Sequence, residues 1–449
     1  MSARIVETVT GATTGELRLK RDAAQGRADI VELRVDGVDG LDLPALLADR
    51  AAPVIVTCRP VWEGGQYDGA EPERLRLLRR ARALGAEFID VEFRADWRSV
   101  LQHTEPGDSR TADGVVLSFH DHNGMPADLE TIAAGMEAAG ADVVKIAVTP
   151  HSLSDCGRLA RIGNSLRTGA VIGMGPKGLV TRMAPERFNA CWTYTGSLSQ
   201  VGQIAPEAAR DLFGIGRLGA GAALYGVVGN PVAHSHSPAL HNAAFRHEGI
   251  DAVYAAFEAA DFEDFQRFAR DLDVAGASVT APFKGDAFAA AATVDEAAAA
   301  TEAANTLNRA PGGWAAGNTD AAGFLAPLEG EALNGMRAGV IGRGGASRSV
   351  AHALRRAGAE VTILGRDDLD RASEPWDLLV NATPVGTAPG VDASVMEGRA
   401  IRARLVYDLV YNPRETRLLR DARAAGARTI GGLDMLVAQA CGQFEFWFG

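Results

Sequence analysis

Gly214-Ile-Gly-Arg-Leu-Gly-Ala-Gly221 divides this chain of 449 residues. Four of its eight residues are glycine. Glycine loses more backbone entropy on ordering than any other residue, so such a run reads as a connection and not as the interior of a helix or strand. The stretch lies near the middle of a chain too long for one core. The patterns on its two sides differ, and each side is read as its own fold.

Composition narrows the class. An apolar fraction of 47% with 23% charged residues is that of an ordinary globular protein. No apolar run reaches the length of a membrane span, and the start, Met1-Ser-Ala-Arg-Ile-Val, shows no secretory or transit pattern. Cys58, Cys156, Cys191 and Cys441 have no metal-ligand spacing, so no metal is expected. Reduced, buried thiols in a cytoplasmic protein are the expectation. A net charge of −12 argues against nucleic acid as a partner and leaves acidic small molecules open.

Before the divide, eight strand-like runs recur: Ile5–Val9, Ile30–Val35, Val54–Cys58, Phe88–Val91, Val115–Phe119, Val143–Val148, Ala170–Ile172 and Cys191–Tyr194. Helical segments such as Pro72–Leu84 and Leu129–Ala139 lie between them. Eight alternations predict a (β/α)8 barrel, and chemistry in that fold gathers where strands end. The second run carries Glu32 and Arg34, and the third ends at Arg59 with Glu63 beyond. The fifth ends at His120, the sixth holds Lys145, and the eighth runs on to Ser197 and Ser199. An ammonium in a buried strand is either ion-paired or loses its proton, and a neutral lysine amine forms Schiff bases. Lys145 alone reads equally as a paired strand-end lysine. With His120 on the neighbouring strand, nucleophilic and proton-transfer roles become the better reading.

After the divide, a strand from Tyr225 runs into Asn230-Pro-Val-Ala-His-Ser235-His-Ser237-Pro238. Ser237 fits the N-cap of a helix and Pro238 its first turn; Ser235 is not needed for the cap. Thr280 and Lys284 end the run from Gly276, and Asn305 and Asp320 stand in further polar clusters at strand ends. A lysine and an aspartate so placed form a proton-transferring pair or a plain ion pair. Gly342-Arg-Gly344-Gly345-Ala346-Ser347 opens a strand–turn–helix unit of dinucleotide-binding kind. The next strand ends at Arg366, which favours NADP by offering a charge to a 2′-phosphate, though Asp367 and Asp368 follow it. The strand at Leu378–Asn381 leads to Thr383, another runs to Tyr411, and Gly431–Gln439 reads as a helix returning to the substrate lobe.

Residues 1–213 resemble type I 3-dehydroquinate dehydratase through Glu32-Leu-Arg34, Arg59-x-x-x-Glu63-Gly-Gly, Ser118-Phe-His-Asp121, Val144-Lys145 and Ser199-x-x-x-Gln203. The resemblance implies Lys145 as imine lysine, His120 as acid/base and Glu63 as its support. It also implies Glu32, Arg34, Arg59, Arg182, Ser199 and Gln203 as holders of the substrate. Residues 223–449 resemble shikimate dehydrogenase through Ser235 and Ser237 with Pro238, Val279-Thr280 and Lys284, Asn305-Thr306, Asn318-Thr-Asp320, the glycine turn, Asn381-Ala-Thr383 and Gly432 to Gln439. This implies Lys284 and Asp320 as the catalytic pair, with Ser235, Ser237, Thr280, Asn305, Tyr411 and Gln439 on the substrate. Gly342, Gly344, Gly345, Ala346, Ser347, Arg366 and Thr383 would hold the cofactor. The departures are Ser278 before Val-Thr, Ala321 after Asp320, Arg343 inside the glycine turn and Gly365 before Arg366.

The expected architecture is therefore α/β. A barrel over 1–213 and a linker at 214–222 precede a two-lobed dehydrogenase with a substrate lobe at 223–330, a Rossmann-like NADP lobe at 331–430 and a returning helix at 431–449. The implied substrates are 3-dehydroquinate, 3-dehydroshikimate and shikimate. Two rivals are a quinate dehydrogenase using NAD and a sensor of pathway intermediates. The sensor should have lost Lys145, His120, Lys284 and Asp320, and all four are present.

Overall fold

The structure, a computed structural model, describes residues 2–101, 114–197, 202–219, 221–233 and 235–449. The chain forms two compact units, Met1–Val227 with Pro231–Val274, and Val228–Asn230 with Ala275–Gly449.

In the first unit, β-branched runs form eight parallel strands: β1 (Arg4–Thr10), β2 (Ile30–Arg34), β3 (Val54–Thr57), β4 (Phe88–Glu92), β5 (Val115–Asp121), β6 (Val143–Val148), β7 (Gly169–Gly173) and β8 (Trp192–Thr195). They neighbour one another in chain order, and β8 returns to pair with β1, Arg4 opposite Trp192. Between β7 and β8 a single bridge, Gly169 to Ala190, closes the ring, with the Cys191 N–H donating to Gly169 O at 2.8 Å. The barrel is thus closed, with one thin seam.

The period of two along each strand decides what the barrel interior holds. Val6, Ile30, Ile55, Val116, Val143, Ala170 and Trp192 pack together as an apolar plug at one end. Two residues further along the same rows stand Thr8, Glu32, Thr57, Ser118, Lys145, Ile172 and Tyr194. One end is hydrophobic core and the strand ends beyond it carry the polar groups, which is the division a barrel enzyme requires.

The same unit takes in β9 (Ala223–Gly229) up to Val227, β10 (Ala252–Glu258) and the helices Ser237–Glu248 and Phe262–Asp271. The Asn242 side chain bonds both backbone groups of Tyr254 at 2.8 Å, fixing helix to strand. The helix start differs from the sequence expectation. Ser237 is the first helical residue, His236 occupies the cap position, and the Ser235 hydroxyl accepts the Ser237 N–H at 3.2 Å. Proline at the second position supplies no N–H to cap, so the bond is made one residue earlier. Within the glycine-rich connection Gly214 and Gly216 take φ of 70° and 88°, and Ile215 is buried.

In the second unit, β11 (Val274–Val279), β12 (Thr293–Val294), β13 (Thr306–Ala310) and β14 (Gly313–Gly317) make one sheet portion, in the order β11-β13-β14-β12. A separate parallel sheet holds β15 (Arg337–Ile341), β16 (Glu360–Leu364), β17 (Trp376–Asn381), β18 (Ala403–Asp408) and β19 (Arg428–Ile430), ordered β16-β15-β17-β18-β19. Both its faces are covered by apolar clusters, one around Val340, Leu354 and Tyr407 and the other around Leu364, Leu379 and Leu418. This is a doubly wound nucleotide-binding arrangement, whose sheet order reverses beside β15. The helix Gly432–Phe448 packs on Asp320–Leu325 and β13. Cys58 and Cys156 are buried, whereas Cys191 is half-buried and Cys441 exposed; all four are free thiols. No helix among the described residues is long and apolar enough to cross a membrane.

Candidate active sites

The polar end of the barrel encloses a cavity of about 140 Å3, lined by Glu32, Arg34, Arg59, Glu63, His120, Lys145, Arg182 and Gln203 among others. Eight sequence-derived residues from six separate stretches therefore meet there. Ser199, the ninth, lies outside the described residues. Lys145 is 5% exposed, and its Nζ lies 3.0 Å from Asp90 Oδ2, 3.3 Å from Glu32 Oε1 and 4.0 Å over the Tyr194 ring. Burial alone would raise the Glu32 carboxyl, but Lys145, Arg34 and the Thr8 hydroxyl together hold it below the usual range. Asp90 is likewise buried, and Arg59 and Lys145 hold it far below that range.

Arg59 is spent on this framework. Its guanidinium donates to Glu92 at 2.6 Å, Ser118 at 2.8 Å and Asp90 at 2.8 Å. Arg34 forks onto Asp36 at 2.9 and 2.8 Å. Arg182 differs. It donates to Tyr194 O at 2.9 Å, and burial alone pushes its guanidinium down to about 10. A buried cation whose charged form is disfavoured gains most from an arriving carboxylate.

His120 Nδ1 and Glu63 Oε2 lie 2.9 Å apart. Burial, with Arg59 and Lys145 nearby, holds the imidazole well below its usual value. Burial also pushes Glu63 up to about 8, against the pull of Arg59. At neutral pH Glu63 therefore keeps its proton and the imidazole stays neutral, with one ring nitrogen able to accept a proton.

In the second unit, Lys284 Nζ meets Asp320 Oδ2 at 2.5 Å. Asp320 is 1% exposed, and Asn305 Nδ2 donates to its other oxygen at 2.7 Å and to Gln439 Oε1 at 3.4 Å. Lys284, Asp320, Asn305 and Gln439 thus form one connected cluster. Thr280 closes the turn ahead of Lys284, its carbonyl accepting from Phe283 at 3.0 Å. Tyr411 is half-buried just beyond β18. Ser235 and Ser237 belong to the first compact unit. Ser278 donates to Gln443 Oε1 at 2.8 Å, and Gln443 returns a bond to Asn305 O at 3.1 Å. The departure at 278 is therefore tied into the same cluster from beneath.

A cleft of about 910 Å3 opens at the carboxyl ends of β15, β16 and β17, lined by Gly342, Arg343, Gly344, Gly365, Arg366 and Thr383. Gly342 has a φ of +124°, which only glycine adopts without strain and which turns the chain into the helix Gly345–Arg356. No atom lies within 4 Å of where a Cβ on Gly344 would stand, so the helix N-terminus is open to an anion. The cleft thus fits a dinucleotide. Ser347 is fully buried and donates to Gly342 O at 2.7 Å, so its part is to shape the turn. Ala346 sits in the helix's first turn, and Thr383 is braced by Asn381 at 2.7 Å. Lys284 packs 3.6 Å from the Cβ position of Gly345, which places the Lys284–Asp320 pair beside the helix Gly345–Arg356.

Residues 5–217 match the family described as type I 3-dehydroquinase, and residues 227–307 match the shikimate dehydrogenase substrate binding domain. A bifunctional 3-dehydroquinate dehydratase/shikimate dehydrogenase of Arabidopsis thaliana, named as chloroplastic, is 32% identical over 94% of this chain and 78% of its own length. The chain belongs to the bifunctional 3-dehydroquinate dehydratase/shikimate dehydrogenase family. An NADP(+) shikimate dehydrogenase of Halobacterium salinarum is 44% identical over 50% of this chain and 93% of its own. A solved shikimate dehydrogenase bound to NADP+ shares 31% identity over 51% of this chain and 91% of its own, with a TM-score of 0.48.

In the dehydratase half, sequence reasoning passed over Asp90, Glu92 and Ser118 as functional groups. The signal was present, because Asp90 and Glu92 stand two apart in an otherwise apolar strand and so share one inward face. The dyad also sets a stability test. Between the ordinary glutamate value of 4.5 and about 8, the unfolded chain releases the Glu63 proton and the folded chain keeps it. The contribution of Glu63 is therefore lost as pH rises through that window. The Glu63→Gln variant should gain on the parent there by at most about 1.4 kcal/mol per pH unit. Urea unfolding of both proteins near pH 5 and near pH 8 measures it; parallel pH profiles would show that the buried carboxyl carries no such burden.

Proposed function

We propose that the protein performs two consecutive reactions on one carbon ring. The barrel dehydrates 3-dehydroquinate to 3-dehydroshikimate, and the second half reduces that ketone to shikimate with NADPH. The observation that carries this reading is the shared cavity of buried Lys145 and the His120–Glu63 dyad, in a chain that also sets Lys284–Asp320 beside a dinucleotide cleft. The product of the first reaction is the substrate of the second.

In the barrel, Arg182 takes the substrate carboxylate, and Gln203 and Glu32 hold its hydroxyls. Once His120 has taken a proton from the Lys145 ammonium, the amine attacks the ketone carbon. A carbon–nitrogen bond forms and water leaves, giving an imine that draws electrons from the adjacent carbon. His120 takes the proton from that carbon and returns one to the departing hydroxyl, so a second water leaves and the ring double bond forms. Hydrolysis of the imine restores Lys145 and releases the enone.

In the second half, Thr280, Asn305, Tyr411 and Gln439 hold the ring. Lys284 donates to the ketone oxygen, and Asp320 fixes its ammonium. Gly342, Gly344, Gly345 and Ala346 would seat the pyrophosphate, and Arg366 the 2′-phosphate. Bound there, NADPH supplies the hydrogen and electron pair that reduce the ketone. In this reading 1–213 is the dehydratase, 214–222 the linker, 223–330 with 431–449 the substrate lobe, and 331–430 the nucleotide lobe. Cytoplasmic residence belongs to the same reading and is supported by the four free thiols.

One assay tests the order of events: 3-dehydroquinate and NADPH are mixed with the protein and nicotinamide absorbance is followed. NADPH should be consumed without added 3-dehydroshikimate. A flat trace with accumulating enone would remove the second activity, and a flat trace without enone would remove the first.

A further inference from the structure

The loop that follows the lysine strand, residues 149–154, is held from three sides. Its first residue, Thr149, donates from its hydroxyl to Asp121 O at 3.3 Å and His122 O at 3.0 Å, beside the strand that carries His120. His151 O accepts from Lys177 Nζ at 2.6 Å, which ties the loop to the helix Gly175–Gly178. Its end is gripped by a residue more than a hundred positions away. Asp264, in the first turn of the helix Phe262–Asp271, accepts the Leu153 N–H at 3.0 Å and the Ser154 N–H at 2.8 Å. A third bond, from Ala260 N–H at 3.0 Å, steadies the carboxylate from its own side.

Asp264 is 1% exposed. Burial raises its carboxyl, and the backbone donors reverse that and hold it below the usual range. A buried carboxylate with three backbone donors is a rigid clamp, and removing it leaves the two loop N–H groups without a partner. The clamp does not act alone. Arg161, on the helix after the loop, pairs with Asp271 at 2.8 Å. Arg187 donates to Leu272 O, and β10 packs on the helices Gly175–Gly178 and Val180–Met183, the second of which carries Arg182. All of these residues lie within the first compact unit.

We infer that Asp264, a residue of the segment matched to shikimate dehydrogenase, is a positioning residue for the dehydratase. It fixes the loop and helices that present Arg182, so β10 and the Phe262–Asp271 helix are working parts of the barrel site. Lys145 and His120 sit on strands locked by barrel ladders and need no such help. The clamp should therefore govern how well substrate is held and leave the chemical step alone, which separates KM from kcat. The inference rests on the dehydratase reading given above.

The test uses the full chain. Asp264→Ala should raise the KM for 3-dehydroquinate about tenfold while kcat stays within about twofold and reduction of 3-dehydroshikimate by NADPH is unchanged. Asp264→Asn keeps the volume and one acceptor oxygen, so its KM should fall between, raised about threefold. A merely structural role would lower the melting temperature without ordering KM in this way. If Asp264→Ala does not fold, the asparagine variant decides. A KM within about twofold of the parent in the folded variants overturns the inference, provided the parent turns over 3-dehydroquinate. A parent without dehydratase activity would instead overturn the reading beneath it.

Discussion

Lys145→Ala is expected to lower dehydratase kcat by about 10^4-fold or more, the scale seen when a covalent nucleophile is removed. Among the described residues that line the cavity, Lys145 is the one lysine, and Arg34, Arg59 and Arg182 are the arginines. Dehydrogenase activity should stay within about twofold, because its cluster of Lys284, Asp320, Asn305 and Gln439 is built from the second unit. Borohydride with 3-dehydroquinate should add covalent mass to the parent at Lys145 and none to the variant. The variant should also lose stability, by about 3–5 kcal/mol, the range for removing one partner of a buried ion pair. Its pH dependence has a definite sign. In the parent, Glu32 and Asp90 are held low by Lys145 and their contribution is lost as pH falls. Without the ammonium, one of the two buried carboxyls must keep a proton, so the variant should lose stability as pH rises from about 5 toward 8. Surviving dehydratase activity, or an adduct elsewhere, would end the imine mechanism.

Asp320→Asn is the counterpart on the other side. Asparagine keeps the shape and the bond to Asn305 but leaves Lys284 without its counter-charge. Reduction of 3-dehydroshikimate should fall by about 10^2–10^4-fold in kcat, the usual share of positioned acid–base groups. The dissociation constant for NADP+ should hardly change, since the cleft between β15 and β16 does not use this carboxylate. Dehydration should proceed as before. Retention of a tenth or more of the reductase rate would show that the Lys284–Asp320 contact is a structural ion pair.

Much of this could be read from the sequence because strand periodicity and chemistry coincide. Glu32 with Arg34, His120 and Lys145 were found as polar interruptions of apolar runs, and the structure brings them to one cavity. The inner framework was harder to see. Asp90 and Glu92 show only their spacing of two along an apolar strand and Arg74 shows no signature, so their role is explicable only once β4 is known to stand between β3 and β5, where Arg59 and Ser118 await them. Ser235 and Ser237 show the opposite error: cap chemistry was expected of the residue nearest the proline, yet the bond comes from the hydroxyl two residues earlier. Asp264 left no trace in the sequence, because a side chain that bonds backbone amides elsewhere in the chain has no partner residue type to look for.

Two departures in the nucleotide lobe turn out to be one. A Cβ on Gly365 would stand 2.5 Å from Arg343 Cζ, so the guanidinium lies across the bare backbone at the end of β16, with Asp368 at 3.4 Å. A side chain gained at 365 would turn that guanidinium outward, because it is the exposed far end of a flexible side chain, whereas a small residue gained at 343 would uncover the backbone of Gly365. Arg343 is therefore a movable cover over the end of β16 and not a fixed wall of the cleft.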